Sequence, residues 1–401
     1  AEHVDVTCLR TDPKRLTGLV FLGIRDADTF PLIFYRDRCA DMGLVPDDID
    51  EAYLARAKAV CISGTHLSHP DTRAACIKAM KTARRLGRRV VLDIDYRPVL
   101  WGLTAPGLGE QRFVVSAEVT GRLQEVLADC DLIVGTEEEI HIAGGSTDTR
   151  EALRAIRAAS RGLVVMKRGP MGCIAFDGAI PDDLEQGLAG PGFPVEVFNV
   201  LGAGDAFMAG LLRGWVRDEP LADALREANA CGALVVSRHG CAPAMPSWDE
   251  LTFFLARTPT TRRLREDTEL EHVHRATTRR PTPDALAVLA FDHRSQLEEM
   301  AAACGADVGR IAAFKQLVAR AAAEGYAAER AAAEYERHGA AEAEAFPAAG
   351  VIVDARHGTG VLHRLTGTGE RIARPVEGPG WRSGPAATSD SHSPNGPPSR
   401  S

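Results

Sequence analysis

Between residues 50 and 170 the chain alternates short apolar runs with longer stretches whose apolar positions recur every three or four residues. Residues 50–58, 71–86, 117–128 and 149–158 carry the helical spacing, whereas 59–63 (AVCIS), 89–94 (RVVLDI), 131–134 (DLIV) and 163–167 (LVVMK) read as buried strands. Strands alternating with amphipathic helices predict a parallel sheet covered on both faces. In open sheets of this kind ligands bind beyond the carboxyl ends of the strands. Asp93, Gly135, Lys167 and Gly202 all fall at such ends. Upstream, TGLVFLGI and TFPLIFY, within residues 16–35, are expected to pair around a turn at Arg25–Asp28. Downstream, 172–176 and 195–200 read as added antiparallel strands, 221–237 as a long helix and 248–255 as a final amphipathic one.

The most telling junction follows residue 200. VEVFNV leads into Leu201-Gly202-Ala203-Gly204-Asp205, after which Phe207, Leu211, Leu212 and Trp215 recur at helical spacing. Two glycines between a strand and a helix let the backbone come close to a ligand. The first N–H groups of the helix lack internal partners and sit at the positive end of its dipole, which makes a ready anion site. Asp205 adds a carboxylate where a pure anion trap would avoid one. The combination suits a phosphoryl group in transfer, with the carboxylate taking the proton of an attacking hydroxyl; the alternative is an ordinary strand–helix turn with an acidic first turn. No G-x-x-x-x-G-K-[ST] is present, so phosphates would be held by this turn and by scattered side chains.

Four further segments narrow the choice. Asp93-Ile94-Asp95-Tyr96-Arg97-Pro98 resembles a D-x-N-x-R strand end, with Asp95 at the usual Asn place. Gly135-Thr136-Glu137-Glu138-Glu139 resembles an N-x-x-E segment, with Gly135 at the Asn place. Lys167-Arg168-Gly169-Pro170-Met171-Gly172 resembles a K-x-G-x-x-G turn, and Asn229 in ANACGALVVSRHGCAPAMP matches a helix and loop that wrap adenine. With VFNVLGAGDAFMAG, and in this order and spacing over residues 1–256, they resemble the ribokinase-like (PfkB) sugar kinases. The resemblance implies an α/β fold, a three-layer α/β/α sandwich with a small β lid over the sugar, and ATP and Mg²⁺ as cofactors. It implies Asp205 as general base, with the N–H groups of Gly202, Ala203 and Gly204 at the γ-phosphoryl group. Lys167, Gly169 and Asn229 would lie along the nucleotide and Glu138 would hold Mg²⁺ through water. Asp93, Arg97 and Arg36 would face the substrate, and Arg25 and Arg36 lie by the lid strands, where a sugar carboxylate would pass.

VGTEEE, FNVLGAGDAF and the opening RTDPKRLTGLVFLGIRDADTFPLIFYRDRCADMGL resemble one branch in particular. That branch transfers phosphate to the C6 hydroxyl of 5-dehydro-2-deoxygluconate in myo-inositol catabolism. Two alternatives stay open: a kinase for another keto-sugar acid such as 2-keto-3-deoxygluconate, and a non-catalytic remnant that binds nucleotide or a partner. The lid strands are a candidate surface for a homodimer.

Composition bounds these readings. The chain has 401 residues, 45% apolar and 25% charged, with a net charge of −8. That disfavours a nucleic-acid partner or a polybasic membrane role, though single Arg or Lys residues can still bind small anions. Nine cysteines, with no C-x-x-C pair, fit a reducing cytoplasm better than a disulfide framework. No run reaches the apolar length of a membrane span, and the first ten residues lack the pattern of a signal peptide. Residues 257–283, charged and Thr-rich, read as a linker. Residues 284–384 resemble the opening of a class I aldolase-like (β/α) barrel, with strands at 285–294, 350–354 and 371–377, Ala/Glu-rich helices to Glu344, and Asp292-His293-Arg294 ending the first strand. Residues 385–401 read as a disordered tail. A whole barrel needs about 250 residues, so an incomplete barrel is expected. Relatives also carry an opening strand and a Gly-Gly-x-x-x-N segment that residues 1–15 do not supply, so truncation is expected at both ends.

Overall fold

The computed structural model describes residues 4–25, 30–109, 111–257, 261–278, 288–290, 295–314, 317, 350–352 and 372–373. It divides into two compact units, Ala1–Arg280 and Pro281–Ser401.

In the first unit β1 (Leu19–Leu22) and β2 (Leu32–Tyr35) form an antiparallel ribbon with Leu19 opposite Tyr35. Alternation is sharp: Leu32 and Phe34 are buried while Ile33 and Tyr35 face solvent. A six-stranded sheet follows. β3 (Ala59–Ser63), β4 (Arg89–Asp93), β5 (Leu132–Thr136) and β6 (Leu163–Lys167) are parallel, and β7 (Cys173–Phe176) and β8 (Leu188–Gly190) extend it antiparallel, in the spatial order β3-β4-β5-β6-β7-β8.

Because side chains alternate along a strand, the sheet divides its apolar residues between two cores. Val90, Leu92, Ile133, Val164, Met166, Ile174 and Phe176 pack on one face against α2 (Pro70–Arg85), α3 (Ala117–Leu127), α4 (Glu137–Gly144) and α5 (Thr149–Ala159). Val91, Leu132, Val134, Leu163 and Val165 pack on the other against α6 (Ala203–Trp215) and α7 (Leu221–Val236). This is the three-layer α/β/α arrangement expected. Each fully buried Val, Leu or Ile contributes about 1.5–3 kcal/mol of transfer free energy, so the alternation within 89–94 and 163–167 fixes which face each helix covers. A short helix, α1 (Glu51–Ala55), capped by Asp50, precedes β3.

Two expectations are corrected. Residues 195–200 form no strand. The N–H of Glu196 donates to Arg262, and those of Phe198 and Asn199 both donate to the carbonyl of Val236 at the end of α7, so these donors are spent on a loop and a helix end rather than on a sheet neighbour. Residues 257–283 are not simply a linker either. Leu264 and Leu270 are fully buried in a cluster with Ala206, Ala244, Leu251 and Phe254, and α9 (Thr268–Thr278) packs beside α8 (Trp248–Leu255). Several of the charged residues that suggested a linker are paired: Arg257 with Asp267 and Glu269, Arg263 with Glu196, and Glu271 with Arg238.

In the second unit β9 (Val288–Ala290), β10 (Gly350–Ile352) and β11 (Ile372–Ala373) form a parallel sheet in the order β11-β10-β9, and α10 (Ser295–Ala303) follows β9. All three strands lie within the expected segments. The turn at Asp26–Asp28, residues 279–283, the group Asp292-His293-Arg294, the later part of the helical stretch (318–344) and the tail 385–401 lie outside the described residues. Among the described residues no helix is long and apolar enough to cross a membrane.

Candidate active site

Ser63 pairs with Asp93 across β3–β4, Asp93 with Val134 across β4–β5, and Thr136 with Lys167 across β5–β6. The register brings these polar strand ends to one edge of the sheet, and the start of α6 lies over the same edge.

Gly202 is the N-cap of α6, with φ 83° and ψ −3°. A side chain is strained there: φ is positive, and a Cβ would stand 2.6 Å from Cys241 Sγ and 3.4 Å from Met245 Cε. Asn199, 1% exposed, ties the turn, accepting from the N–H of Leu201 (3.0 Å) and donating to the carbonyl of Gly240 (2.7 Å). Ala206 N–H donates to the carbonyl of Gly202 (2.9 Å), so the N–H groups of Ala203, Gly204 and Asp205 have no acceptor within the helix. The Asp205 carboxylate is exposed and makes no hydrogen bond or ion pair among the described residues.

Beneath this turn lies a buried charge cluster. A Cβ on Gly204 would stand 3.7 Å from Lys167 Nζ. Lys167 Nζ in turn lies 3.3 Å from Asp93 Oδ1 and 3.6 Å from Glu139 Oε2, with side-chain exposures of 13%, 14% and 6%. One ammonium therefore serves two carboxylates. Burial works against charge on all three, but the neighbours differ. Glu139 and Asp93 hold the Lys167 ammonium above the usual lysine range. Glu139 is held below the usual carboxylate range, against its burial, by Lys167, Arg97 and the N–H of Thr136, which donates to it at 2.7 Å. Asp93 is pushed up to about 7, by burial first and then by Glu139 and Asp95, with Lys167 opposing. Asp93 is thus the carboxylate of the cluster that takes a proton near neutrality.

Asp95 continues the cluster toward the lid. Its φ is 34°, a left-handed conformation that Asp and Asn tolerate better than most residues. Its carboxylate accepts from Ser63 Oγ (3.0 Å) and Thr65 Oγ1 (3.1 Å) and pairs with Arg97 (3.2 Å). Every partner is a donor, so the all-acceptor carboxylate suits a place where Asn is usual. Gly135 has an equally local reason, since a Cβ there would lie 2.7 Å from Ile94 Cδ1 and 3.1 Å from Glu139 Cβ. Arg36 pairs with Asp41 through Nε at 3.2 Å. The His66 imidazole is depressed by burial and by Arg36, against Asp41 and Asp95. The Cys61 thiol, open to solvent on one side but crowded by protein, is pushed up to about 12, by desolvation and then by Asp93 and Asp205.

The expected residues divide accordingly. Asp93, Lys167 and the Gly202–Asp205 turn come together, and Arg97 joins them through Asp95. Glu138 lies on the exposed first turn of α4, beside the buried Glu139. Gly169, with φ 57° and open space where a Cβ would stand, starts the β6–β7 turn. Asn229 does not fit its expected place. It is 8% exposed, and its Nδ2 donates to the carbonyl of Leu225 (2.8 Å) and to Cys173 Sγ (3.1 Å), so the donors of this amide are spent within the core. Three residues escaped the sequence reading. Glu139 was legible as the fourth member of a capping box with Thr136. Cys61 and Arg112, which senses Arg97, Glu139 and Asp95, had no sequence signal.

A group of three or more side chains arranged to hold a metal ion is absent among the described residues. The free carboxylates of Asp205 and Glu138 are oxygen donors of the type Mg²⁺ takes, and that ion keeps most of its positions for water and phosphate. The residues present therefore fit Mg²⁺ held through phosphate and water.

Comparison with known proteins gives two adjoining family matches: pfkB family carbohydrate kinase over residues 1–248, and an uncharacterized protein family conserved in bacteria (DUF2090) over 250–393. The second falls where the sequence placed a fused aldolase-like unit. A 5-dehydro-2-deoxygluconokinase of Geobacillus kaustophilus is 33% identical over 258 residues, which are 63% of this chain and 72% of that protein. Among solved structures, a ribokinase II of E. coli in complex with ATP and Mg²⁺ matches with a TM-score of 0.52 at 23% identity, over 61% of this chain and 73% of the other. A fructokinase of Vibrio cholerae with fructose, ADP and calcium matches at 0.51 and 24% identity, over 63% and 77%. Both show the same fold.

Proposed function

Since the chain belongs to the pfkB family of carbohydrate kinases, we propose that it transfers the γ-phosphoryl group of ATP to the C6 hydroxyl of 5-dehydro-2-deoxygluconate, with Asp205 as general base. The observation that carries this reading is the Asp205 carboxylate, free of partners, on a helix turn whose N–H groups at Ala203, Gly204 and Asp205 are also free. Asp205 takes the hydroxyl proton as the substrate oxygen bonds to the γ-phosphorus and the bond to the bridging oxygen of ADP breaks. The N–H groups stabilise the charge that develops on the phosphoryl oxygens. Glu138 would hold Mg²⁺ through water, and the ion would supply charge neutralisation on the phosphates. Lys167 and Gly169 line the nucleotide side. Asp93, Arg97 and Arg36 face the substrate, and the two arginines favour an acidic sugar over a neutral one.

The similarity of VGTEEE and FNVLGAGDAF to the named branch, and the 33% identity to a 5-dehydro-2-deoxygluconokinase, support this substrate. The outward face of the lid, with Leu19, Phe21, Ile33 and Tyr35 at 40–58% exposure, is the surface we assign to a second copy. The nine free thiols suit the cytoplasm. The test is ADP release by the full chain with 5-dehydro-2-deoxygluconate, 2-keto-3-deoxygluconate, ribose and fructose. The reading requires the first to have the highest kcat/KM. A neutral sugar matching it would overturn the substrate, and no turnover with any of them would overturn the catalytic role.

A further inference from the structure

The loop 238–245 closes one side of the Gly202 turn. Cys241 and Met245 stand where a side chain on Gly202 would be, and the Gly240 carbonyl accepts from Asn199, the residue that ties the turn. What holds this loop comes from beyond the kinase match. His274, on α9, is 8% exposed. Its Nε2 lies 2.9 Å from the carbonyl of Pro243, which can only accept, so Nε2 donates to the loop. Its Nδ1 lies 2.6 Å from Glu250 Oε2, and Glu250 is fully buried. Glu250 Oε1 faces Arg238 at 2.5 Å, and Arg238 Nε donates to Glu271 of α9 at 2.6 Å. Arg238 itself is 6% exposed and begins the loop. Two further contacts run in parallel. Ser247 and Thr277 share a hydrogen bond at 2.5 Å, and the apolar cluster of Leu264 and Leu270 includes Ala244 of the loop and Ala206 of the first turn of α6.

From this arrangement we infer that α9, although it falls in the segment matched by the uncharacterized family (250–393) and not in the kinase match (1–248), is a working part of the kinase site, with His274 as the positioning residue of the loop 238–245. The physical logic is one of satisfaction. Glu250 and Arg238 are buried charges that need full sets of partners. Glu250 Oε1 and the Arg238 terminal nitrogens meet only as an ion pair with no well-directed hydrogen bond, so the His274 ring is the hydrogen-bond partner Glu250 has at Oε2, while its other ring nitrogen is directed at the loop backbone. A packing residue at 274 would fill the space but leave the Pro243 carbonyl without this donor and the loop with one anchor fewer. The loop would then move against the Gly202 turn, whose N–H groups must keep fixed directions to receive a phosphate.

This inference rests on the reading of that turn as the ATP phosphate site, and the test separates the two. Full-length chains carrying His274→Ala, His274→Gln and, as a control matched for lost thermal stability, Leu153→Ala in α5 are compared well below their melting temperatures. Leu153 is fully buried in the core on the opposite face of the sheet. The expected result is a KM for ATP raised about tenfold in His274→Ala, the scale of one lost buried hydrogen bond, with kcat changed less than threefold. His274→Gln, which keeps a donor for Pro243, recovers most of the loss, and Leu153→Ala leaves both constants at the parent values. A His274→Ala chain that melts earlier but shares the kinetic constants of Leu153→Ala overturns the inference. Amide hydrogen exchange over 239–245 reads the brace without turnover. If the parent binds no ATP, the reading of the site fails, while faster exchange in His274→Ala than in Leu153→Ala still upholds the brace and equal exchange refutes it.

Discussion

The two edges of the central sheet make an instructive contrast. The amino-terminal edge holds a cavity of about 670 Å³ bordered by Arg84, Cys130, Asp131, Arg157, Gly162 and Trp215. Its charges are ordinary: Arg84 and Asp131 pair at 2.7 Å with side chains 46% and 33% exposed, and Arg157 spends its guanidinium on the carbonyls of Ser160 and Phe176. The carboxyl edge buries Asp93, Glu139 and Lys167 together and leaves Asp205 and three N–H groups without partners among the described residues. Burying three charges is expensive, and an edge that keeps them while presenting free polar groups is organised for something other than stability.

The contrast breaks most plainly at Asp205. Asp205→Asn is expected to lower kcat by roughly 10²–10⁴-fold while the affinity for an ATP analogue stays within a few-fold, as steady-state kinetics and analogue titration would show. Activity within a few-fold of the parent would remove Asp205 from the mechanism. Next in size is the cost of unpairing each edge. Lys167→Met strands two buried carboxylates and should cost about 3–5 kcal/mol in urea unfolding, whereas Arg84→Met at the other edge should cost less than about 1 kcal/mol. Equal losses would mean that the carboxyl-edge cluster is no more coupled than a surface pair.

Acidity sharpens the same point. Asp93 in the folded protein is pushed up to about 7, above the carboxylate value of the unfolded chain. Over the interval between those two values the folded chain binds a proton that the unfolded chain has lost. This contribution is therefore full at low pH and disappears as pH rises through 7, a loss on the order of 4 kcal/mol. Asp93→Asn should flatten that part of the stability profile between pH 4.5 and 8, and an unchanged profile would reassign the proton. The smallest effect separates the two glycines of the turn. Gly202→Ala forces a side chain into φ 83° and against Cys241 and should cost about 1–2 kcal/mol. Gly204→Ala meets only Lys167 Nζ, at an ordinary contact distance, and should melt with the parent or up to about 1 kcal/mol above it.

The sequence by itself determined the layered sheet and the edge at which chemistry gathers. Period-two and helical patterns between residues 50 and 170 name both faces of each strand, and polar residues directly after apolar runs mark the carboxyl ends. The Gly202–Asp205 turn was legible because an αL glycine, a helix start and an acid are all local features. What the tertiary structure decided was pairing. Whether Lys167 is a solvated strand end or the shared cation of Asp93 and Glu139 depends on register between strands some 30–75 residues apart. Asn229 reads as a ligand-facing amide until α7 is packed on β7, when its Nδ2 finds Cys173 and Leu225. Residues 195–200 alternate like a strand, but their N–H groups were taken by the end of α7 and by Arg262. The charged, Thr-rich stretch after 257 reads as a linker because its buried residues are few and widely spaced. Only docking shows that Leu264, Leu270 and His274 fall on one side, and that a buried Glu250 was waiting for the last of them. Local geometry is written in neighbouring residues, whereas the partner of a buried polar group is set by whatever distant element the fold brings within hydrogen-bonding reach.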